Sequence, residues 1–239
     1  YKKCSEAARA LAELAKEQDL LEWTARKLEE LKDGRKEKNL AACIGLFFVY
    51  REMGKFPEAW HNLSLAVWVA GWNPDEVILP QYRQLLSEKR YAEAGLAAFE
   101  RFKLTQNYAH LTEMDVAYSA AKRAGPEELN RLVEWVKTAC NLSIDDIGAK
   151  FALILLKVKA GAKREAAREL AKFIRNYPRF VPAIRVAVDV YEGINRPDKA
   201  AKFARAALSA NPRDYPLRLR YARLLLKAGR IEEAERAFR

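Results

Sequence analysis

The sequence predicts an all-α chain, a right-handed superhelical α-solenoid of stacked antiparallel helix pairs. The first observation is a short segment that begins with Gly or Asn and ends with Ala, and that recurs at a step of 34 residues, at 161–166, 195–200 and 229–234. The second is a proline at the same step, Pro178 and Pro212. A fixed period of this length is typical of helix–turn–helix units that stack on one another.

Weaker copies of the same segment come earlier in the chain, at steps of 35 or 36 residues. Residues 54–59 and 89–94 keep the final Ala, whereas residues 125–130 end in Asn. Residues 18–23 align as a degenerate first copy, with Trp23 where Ala is expected. The predicted units have the approximate boundaries 1–36, 37–73, 74–106, 107–142, 143–179, 180–213 and 214–239.

The sixth unit shows how one helix pair is built. Residues 181–194 carry apolar side chains at helical spacing and predict the first helix. Asn195 tolerates the left-handed conformation that ends a helix, and Pro197 suits the first turn of the next one. Ala200 is small, so the second helix can lie close to the first, and Pro212 ends the unit. One pair cannot bury its apolar face alone, so stacking is required. We expect these alanines to be buried: Ala59, Ala94, Ala166, Ala200 and Ala234.

These residues resemble the tetratricopeptide repeat family, with its turn of Gly-x-[Tyr/Phe/Leu]-x-x-Ala and its closing proline. Residues 54–60 and 229–235 are the best matches, and the resemblance extends over essentially the whole chain, about seven units. It implies the stacked fold but no single function, because the fold is a scaffold that serves many pathways. The Lys/Asn/Lys/Arg carboxylate clamp of the chaperone-binding members has no match at the corresponding positions.

The resemblance implies that the first helices line a concave groove. Counting along these helices gives the candidate partner-binding residues Phe48, Arg51, Leu79, Arg83, Phe151, Leu155, Arg185, Arg223 and Lys227. This mixture of apolar and basic side chains suits an amphipathic helix or an extended peptide with acidic residues. The alternative is packing against the adjacent unit, and for Phe48 and Phe151 both interpretations stay open.

The positive charge is concentrated in the last three units. The chain has 43 basic and 32 acidic residues, a net charge of +11. From Phe151 onward the count is 21 against 9, or +12, so the first 150 residues carry 22 against 23, or −1. Three stripes contain much of it: Arg164, Arg168, Lys172 and Arg175; Arg196, Lys199, Lys202 and Arg205; Arg220, Arg223 and Lys227. They are interpreted either as a solvated face or as a surface for an acidic partner or an anionic polymer.

The sequence contains no recognisable catalytic or metal-binding motif. His61 and His110 have no cluster of ligand residues at metal spacing. Cys4, Cys43 and Cys140 lie in different units, which argues against a disulfide framework. We therefore predict that the protein is not an enzyme and has no cofactor and no metal. No apolar run is long enough to span a membrane.

Three classes of function remain. The first is a non-catalytic scaffold that binds an acidic partner protein or peptide through the groove or the basic C-terminal units. The second is a periplasmic scaffold segment of a bacterial exopolysaccharide export machine, which recruits a modifying enzyme or guides the polysaccharide. The third, nucleic-acid binding by the basic units, ranks last because few aromatic side chains lie between the cations. The chain begins with Tyr1 and ends with Arg239 inside a unit, which suggests a fragment; the compartment, cytoplasm or bacterial periplasm, stays open.

Trp68 and Trp72 lie four residues apart near the end of a predicted second helix. One interpretation is a well-packed helix end. The other is an exposed aromatic patch between two units, where a tryptophan would give a partner a large contact area.

Overall fold

The computed structural model describes residues 2–32, 36–105, 107, 110–142 and 147–238, which form fourteen α-helices and no strand. The helices are α1 (Lys2–Glu17), α2 (Leu21–Lys32), α3 (Lys36–Glu52), α4 (Phe56–Ala70), α5 (Pro74–Ser87), α6 (Tyr91–Thr105), α7 (Leu111–Ala124), α8 (Pro126–Asn141), α9 (Ile147–Lys159), α10 (Lys163–Asn176), α11 (Val181–Gly193), α12 (Pro197–Ala210), α13 (Tyr215–Lys227) and α14 (Ile231–Phe238). The all-α prediction is confirmed, and the number of helices agrees with about seven helix pairs. The handedness of the superhelix stays a prediction.

The chain divides into two compact units. Unit 1 comprises Tyr1–Lys150 and unit 2 comprises Phe151–Arg239. Within unit 2, each helix from α10 to α14 packs against the next one along the chain. Among the described residues, no helix is both long enough and apolar enough to cross a membrane.

One turn geometry recurs between the two helices of most pairs. Its central residue has a positive φ at Asp19 (56°), Gly54 (72°), Lys89 (61°), Gly161 (84°), Asn195 (57°) and Gly229 (76°). The next backbone N–H reaches back five residues, as from Lys55 to the Tyr50 carbonyl (2.8 Å) and from Arg196 to the Tyr191 carbonyl (2.9 Å). This arrangement satisfies the last carbonyls of the first helix. The left-handed conformation expected at Asn195 is thus confirmed.

The first turn lies one residue later than the sequence alignment placed it. The residue with positive φ is Asp19, not Gln18, so the step to Gly54 is 35. Thr24 then takes the position of the buried alanine and is 6% exposed, whereas Trp23 is 54% exposed. The predicted alignment of 18–23 was therefore wrong. Without a glycine or an alanine, this segment had nothing to fix its position.

The connection between α7 and α8 also departs from the recurring turn. A single residue, Gly125, separates the two helices, with φ 139° and ψ 171°. Asn130, which aligns with the buried alanine of the other helix pairs, is exposed. Helix α8 packs against α6 as well as α7, and its Glu128 carboxylate accepts a hydrogen bond from the Ala92 N–H at 2.8 Å. An unpaired N–H in the first turn of α6 is satisfied in this way.

Helix α6 is the central helix of unit 1. It packs against α4, α5, α7 and α8, and every residue from 92 to 102 is buried. Three of these residues are charged: Glu93, Glu100 and Arg101. Buried charges require partners, and ion pairs extend from Glu93 to Arg51, from Glu100 to Lys103 and from Arg101 to Asp75.

The small residues at the helix-pair contacts are buried as expected. Ala59, Ala94, Ala166, Ala200 and Ala234 each have 0% exposure.

Replacing Ala200 with Trp is expected to lower the free energy of unfolding by about 1–3 kcal/mol, because the contact between α11 and α12 has no room for a large side chain. Urea unfolding followed by circular dichroism measures the loss. Ala206→Trp is the matched control, since Ala206 lies on the exposed face of the same helix. Equal losses in the two variants would show that close packing at Ala200 is not the cause.

Candidate functional site

A small pocket lies among the first helices of unit 1. It has a volume of about 230 Å³ and is lined by residues of α1, α3 and α5. Two candidate residues from the sequence, Phe48 and Arg51, belong to this lining, together with Arg9, Gln84 and Arg90. The structure therefore brings Phe48 and Arg51 together and adds a third element, α1, that sequence reasoning had not assigned to the groove.

Two guanidinium groups at this pocket lie against aromatic rings. Phe48 is 7% exposed and contacts Phe47 edge to face, with ring centroids 5.0 Å apart. The Arg9 guanidinium lies 5.5 Å from the centroid of the Phe48 ring, and the Arg51 guanidinium lies 5.4 Å from that of Phe47. Cations at such distances are attracted by the ring faces. Phe48 is thus mostly a packing residue whose ring supports Arg9.

Two of the three arginines are held by the buried carboxylate of Glu93. Arg51 Nε lies 3.1 Å from Glu93 Oε1, and Arg90 Nη2 donates to Glu93 Oε2. Trp60 Nε1 donates to the same carboxylate at 3.3 Å. Burial raises the pKa of Glu93, and the charges of Arg51 and Arg90 oppose that rise. Glu93 therefore fixes the positions of Arg51 and Arg90 and offsets part of their charge.

Arg9 differs from the other two arginines because it is exposed and makes no ion pair with any described residue. At the rim, Gln84 Nε2 donates to Glu88 Oε1 at 2.7 Å, and this hydrogen bond, together with Arg90, lowers the pKa of Glu88. With Arg9, Arg51 and Arg90 against Glu88 and Glu93, the formal charge of the pocket is 3 − 2 = +1. The pocket thus offers one cation without an ion pair in the described structure, in a mostly polar lining beside the largely buried ring of Phe48.

In unit 2, several ion pairs connect the first helices α11 and α13. Arg185 pairs with Asp214, and Arg220 contacts both Asp189 and Glu192. Lys227 Nζ lies 2.8 Å from Glu192 Oε1. Hydrogen bonds from Lys227 and Arg220 lower the pKa of Glu192. The candidate cations Arg185 and Lys227 are therefore partly neutralised within the unit.

The other candidates lie in different surroundings. Arg223 is exposed and, among the described residues, has no ion-pair partner. Arg83 is exposed, and Leu79 and Leu155 are half-buried. Phe151 has 0% exposure and packs between Phe173 and Phe180, with centroid distances of 5.7 and 5.1 Å. A partner could touch the Phe151 ring only if this cluster repacked.

Trp68 and Trp72, near the end of α4, differ in exposure. Trp68 is 74% exposed, whereas Trp72 is half-buried. Trp68 is thus an exposed aromatic side chain of unit 1, as the second interpretation requires.

Arg9, like Arg90 and Gln84 of the same lining, was not among the candidates from the sequence. With the observed step of 35 residues, Arg9 occupies the same repeat position as Ile44 and Leu79. The one-residue error in the first turn assigned that position to Ala8 instead. The sequence could have indicated Arg9, but only if Asp19 had been recognised as the turn residue with positive φ.

Within the described ranges, no group of three or more His, Cys, Asp and Glu side chains is arranged to hold a metal ion. His61 is half-buried, and burial lowers its pKa.

Residues 195–239 match the family model described as Tetratricopeptide repeat. None of the curated proteins matches the chain in sequence. Similar solved structures include MamA 41-end from Desulfovibrio magneticus RS-1, with 14% identity and TM-score 0.46, covering 70% of this chain and 92% of that one. A tetratricopeptide repeat protein from Parabacteroides merdae ATCC 43184 has 14% identity and TM-score 0.44, covering 99% and 91%. TTC0263, a thermophilic tetratricopeptide repeat protein in Thermus thermophilus, has 15% identity and TM-score 0.39, covering 93% and 99%.

These structural likenesses are distant, and no conclusion on partner or activity follows from them. The family match covers α12, α13 and α14, the part of the chain where the 34-residue period is strictest. The turn found there at Asn195 and Gly229 recurs in the earlier pairs at Gly54, Lys89 and Gly161. Residues 195–239 accordingly carry the sequence signature of a tetratricopeptide repeat, and the chain resembles that family in its recurring turns.

Proposed function

We propose that the protein is a non-catalytic scaffold that binds a short acidic segment of a partner protein in the first-helix groove of unit 1. The observation that supports this most is the cation of Arg9, which lies over Phe48 at a small pocket and has no acidic partner among the described residues. A carboxylate of the partner would provide that counter-charge.

The chemistry of the pocket favours an acidic side chain, because the lining combines three arginines with polar Ser5, Gln81 and Gln84. A carboxylate can accept charge-assisted hydrogen bonds from the Arg9 guanidinium, and such bonds are about twice as strong as neutral ones. The Arg51 and Arg90 guanidinium groups are already positioned by Glu93, so no ordering of their side chains is needed on binding. Preorganisation of this kind lowers the entropic cost of association.

The groove of unit 2 is proposed as a weaker contact for the same kind of segment. Arg223 is a cation there without an ion pair in the described structure, while Arg185 and Lys227 would have to exchange Asp214 and Glu192 for the partner. Exchanging one exposed ion pair for another gains little free energy. Leu79, Arg83 and Leu155 stay predicted contacts on the same set of first helices, and no described residue favours polysaccharide export over peptide binding.

The test is a selection of peptides from a random library against the whole chain, followed by titration of a selected peptide. We expect the selected peptides to be enriched in Asp and Glu. Arg9→Gln should weaken binding about tenfold, the effect of losing one hydrogen bond to a charged group. The matched control is Arg26→Gln, which removes an exposed arginine without an ion pair from the neighbouring helix α2.

Peptides without acidic residues would contradict the proposal. So would an affinity that falls equally in the Arg9 and Arg26 variants, because the effect would then come from net charge alone. Circular dichroism of each variant checks that the helices are retained.

A further inference from the structure

The outer face of α10 carries a row of cations. Arg164, Arg168, Lys172 and Arg175, here called the α10 stripe, are all exposed. They recur at steps of four, four and three residues, which places them along one side of the helix. The side opposite contains Ala166, Ala167, Leu170 and Phe173, all buried. The α10 stripe therefore points away from the core of unit 2.

No cation of the α10 stripe forms an ion pair with a described residue. The two acidic residues of the same helix, Glu165 and Glu169, both contact Lys157 of α9 instead. The hydrogen bond from Lys157 lowers the pKa of Glu165, so this carboxylate is charged and committed at neutral pH. The four cations of the stripe thus have no ion pair in the described structure, although the charge of Arg168 also contributes to the lowered pKa of Glu165.

Helix α12 also carries exposed cations. Lys202 and Arg205 are exposed and, in the described part of the chain, have no ion-pair partner. Both α10 and α12 pack against α11, where the Tyr191 hydroxyl donates to the Ala167 carbonyl at 3.1 Å and its ring stacks on Phe203. The arginine at position 196, part of the predicted stripe, lies outside α12 and contacts Asp198.

The cations of unit 2 differ in how they are paired. On the first helices α11 and α13, three of the five cations are ion-paired within the unit, whereas on the second helices the exposed cations of α10 are not. A row of like charges without ion pairs raises the rate at which an oppositely charged partner associates.

We propose that the outer face of unit 2, formed by the α10 stripe with Lys202 and Arg205, docks an Asp/Glu-rich polypeptide segment, independently of the pocket in unit 1. Four-residue steps along a helix correspond to a rise of about 6 Å. Alternate side chains of an extended peptide lie about 6.6–6.8 Å apart on one side. Successive carboxylates can therefore meet successive cations of the stripe.

The residues between the cations argue against a single-stranded nucleic acid and against a lipid surface. The aromatic ring of Phe173 is buried and that of Phe203 is half-buried, so neither can stack on the bases of a single strand. No large exposed apolar side chain lies on α10 or α12 to enter a lipid bilayer. The exposed cations and their spacing therefore suit an acidic polypeptide, and the experiment compares it with other polyanions.

The experiment measures binding of short poly-L-glutamate to the whole chain at roughly 50 and 200 mM salt, where screening differs strongly. The test variant is Arg164→Gln/Arg168→Gln/Lys172→Gln/Arg175→Gln. The control, Arg26→Gln/Lys122→Gln/Arg123→Gln/Lys150→Gln, changes the net charge equally at exposed residues of unit 1 that have no described ion pair. We expect the test variant to lose about tenfold or more in affinity at low salt, and the control about twofold or less.

Equal losses in both variants, or none in either, would overturn the proposal. Tighter binding of duplex DNA or of a sulfated polysaccharide than of poly-L-glutamate, abolished by the same variant, would overturn the choice of an acidic polypeptide. If the fourfold variant does not fold, Lys202→Gln/Arg205→Gln provides a second test, with an expected loss of about threefold.

Discussion

Replacing Trp60 with Ala is expected to lower the free energy of unfolding by about 3–5 kcal/mol, the range for truncating a large buried aromatic side chain. Trp60 has 0% exposure and contacts Phe47 edge to face, with centroids 5.5 Å apart. It also donates a hydrogen bond to the buried Glu93 carboxylate. The substitution thus leaves a cavity and removes a donor from a carboxylate that has little access to water. Urea unfolding at neutral pH measures the loss.

Trp68→Ala is the matched control for this prediction. Trp68 lies on the same helix, α4, but is 74% exposed, so the same chemical change removes little buried surface. We expect a change within about 0.5 kcal/mol. Similar losses in the two variants would show that the packing around Trp60 does not hold unit 1 together.

The repeat period was sufficient to predict the helix pairs, because each turn has a local chemical cause. Glycine at 54, 161 and 229 and asparagine at 195 tolerate a positive φ, and these residues mark the turns in the sequence. Lys89 and Asp19 adopt the same conformation without being glycine. The turn at Lys89 was still located, because Ala94 follows at the expected distance. The turn at Asp19 was missed, since Thr24 replaces the alanine there.

The charges inside unit 1 could not be predicted from the period. Helix α6 looks like an ordinary second helix in sequence, yet residues 92–102 are all buried. That burial results from α8, which packs against α6 after the short connection at Gly125. A periodic pattern describes each helix pair but does not reveal that one helix is covered by four others.

The candidate site was predicted in part for a similar reason. Phe48 and Arg51 could be predicted from their positions on a first helix, α3. Arg9 could be predicted only from the correct alignment of the first helix pair, α1 and α2. In unit 2 the cations were predicted, but their partners were not. Asp189 and Glu192 meet Arg220 from a helix about one repeat earlier, and such a pairing depends on how two helices face each other.

Replacing Arg101 with Met is expected to lower the free energy of unfolding by about 2–3 kcal/mol, because it removes a buried cation and leaves the partly buried Glu113 carboxylate without its partner. Arg101 is 4% exposed. Its guanidinium donates to Asp75 Oδ1 at 3.0 and 2.9 Å and to Glu113 Oε1. These carboxylates belong to α5 and α7, so a residue of α6 holds two first helices in place. Urea unfolding followed by circular dichroism measures the loss.

Arg131→Met on α8 is the control that separates burial from charge. Arg131 also contacts two carboxylates, Glu127 and Glu128, but its side chain is 45% exposed. Exposed ion pairs of this kind contribute about 0–1 kcal/mol, so the expected loss is small. The double variant Arg101→Met/Glu113→Gln should recover part of the stability lost in Arg101→Met, because it removes the carboxylate that the first change leaves without its cation. If Glu113→Gln adds its full cost instead, Arg101 stabilises α7 by packing rather than by charge.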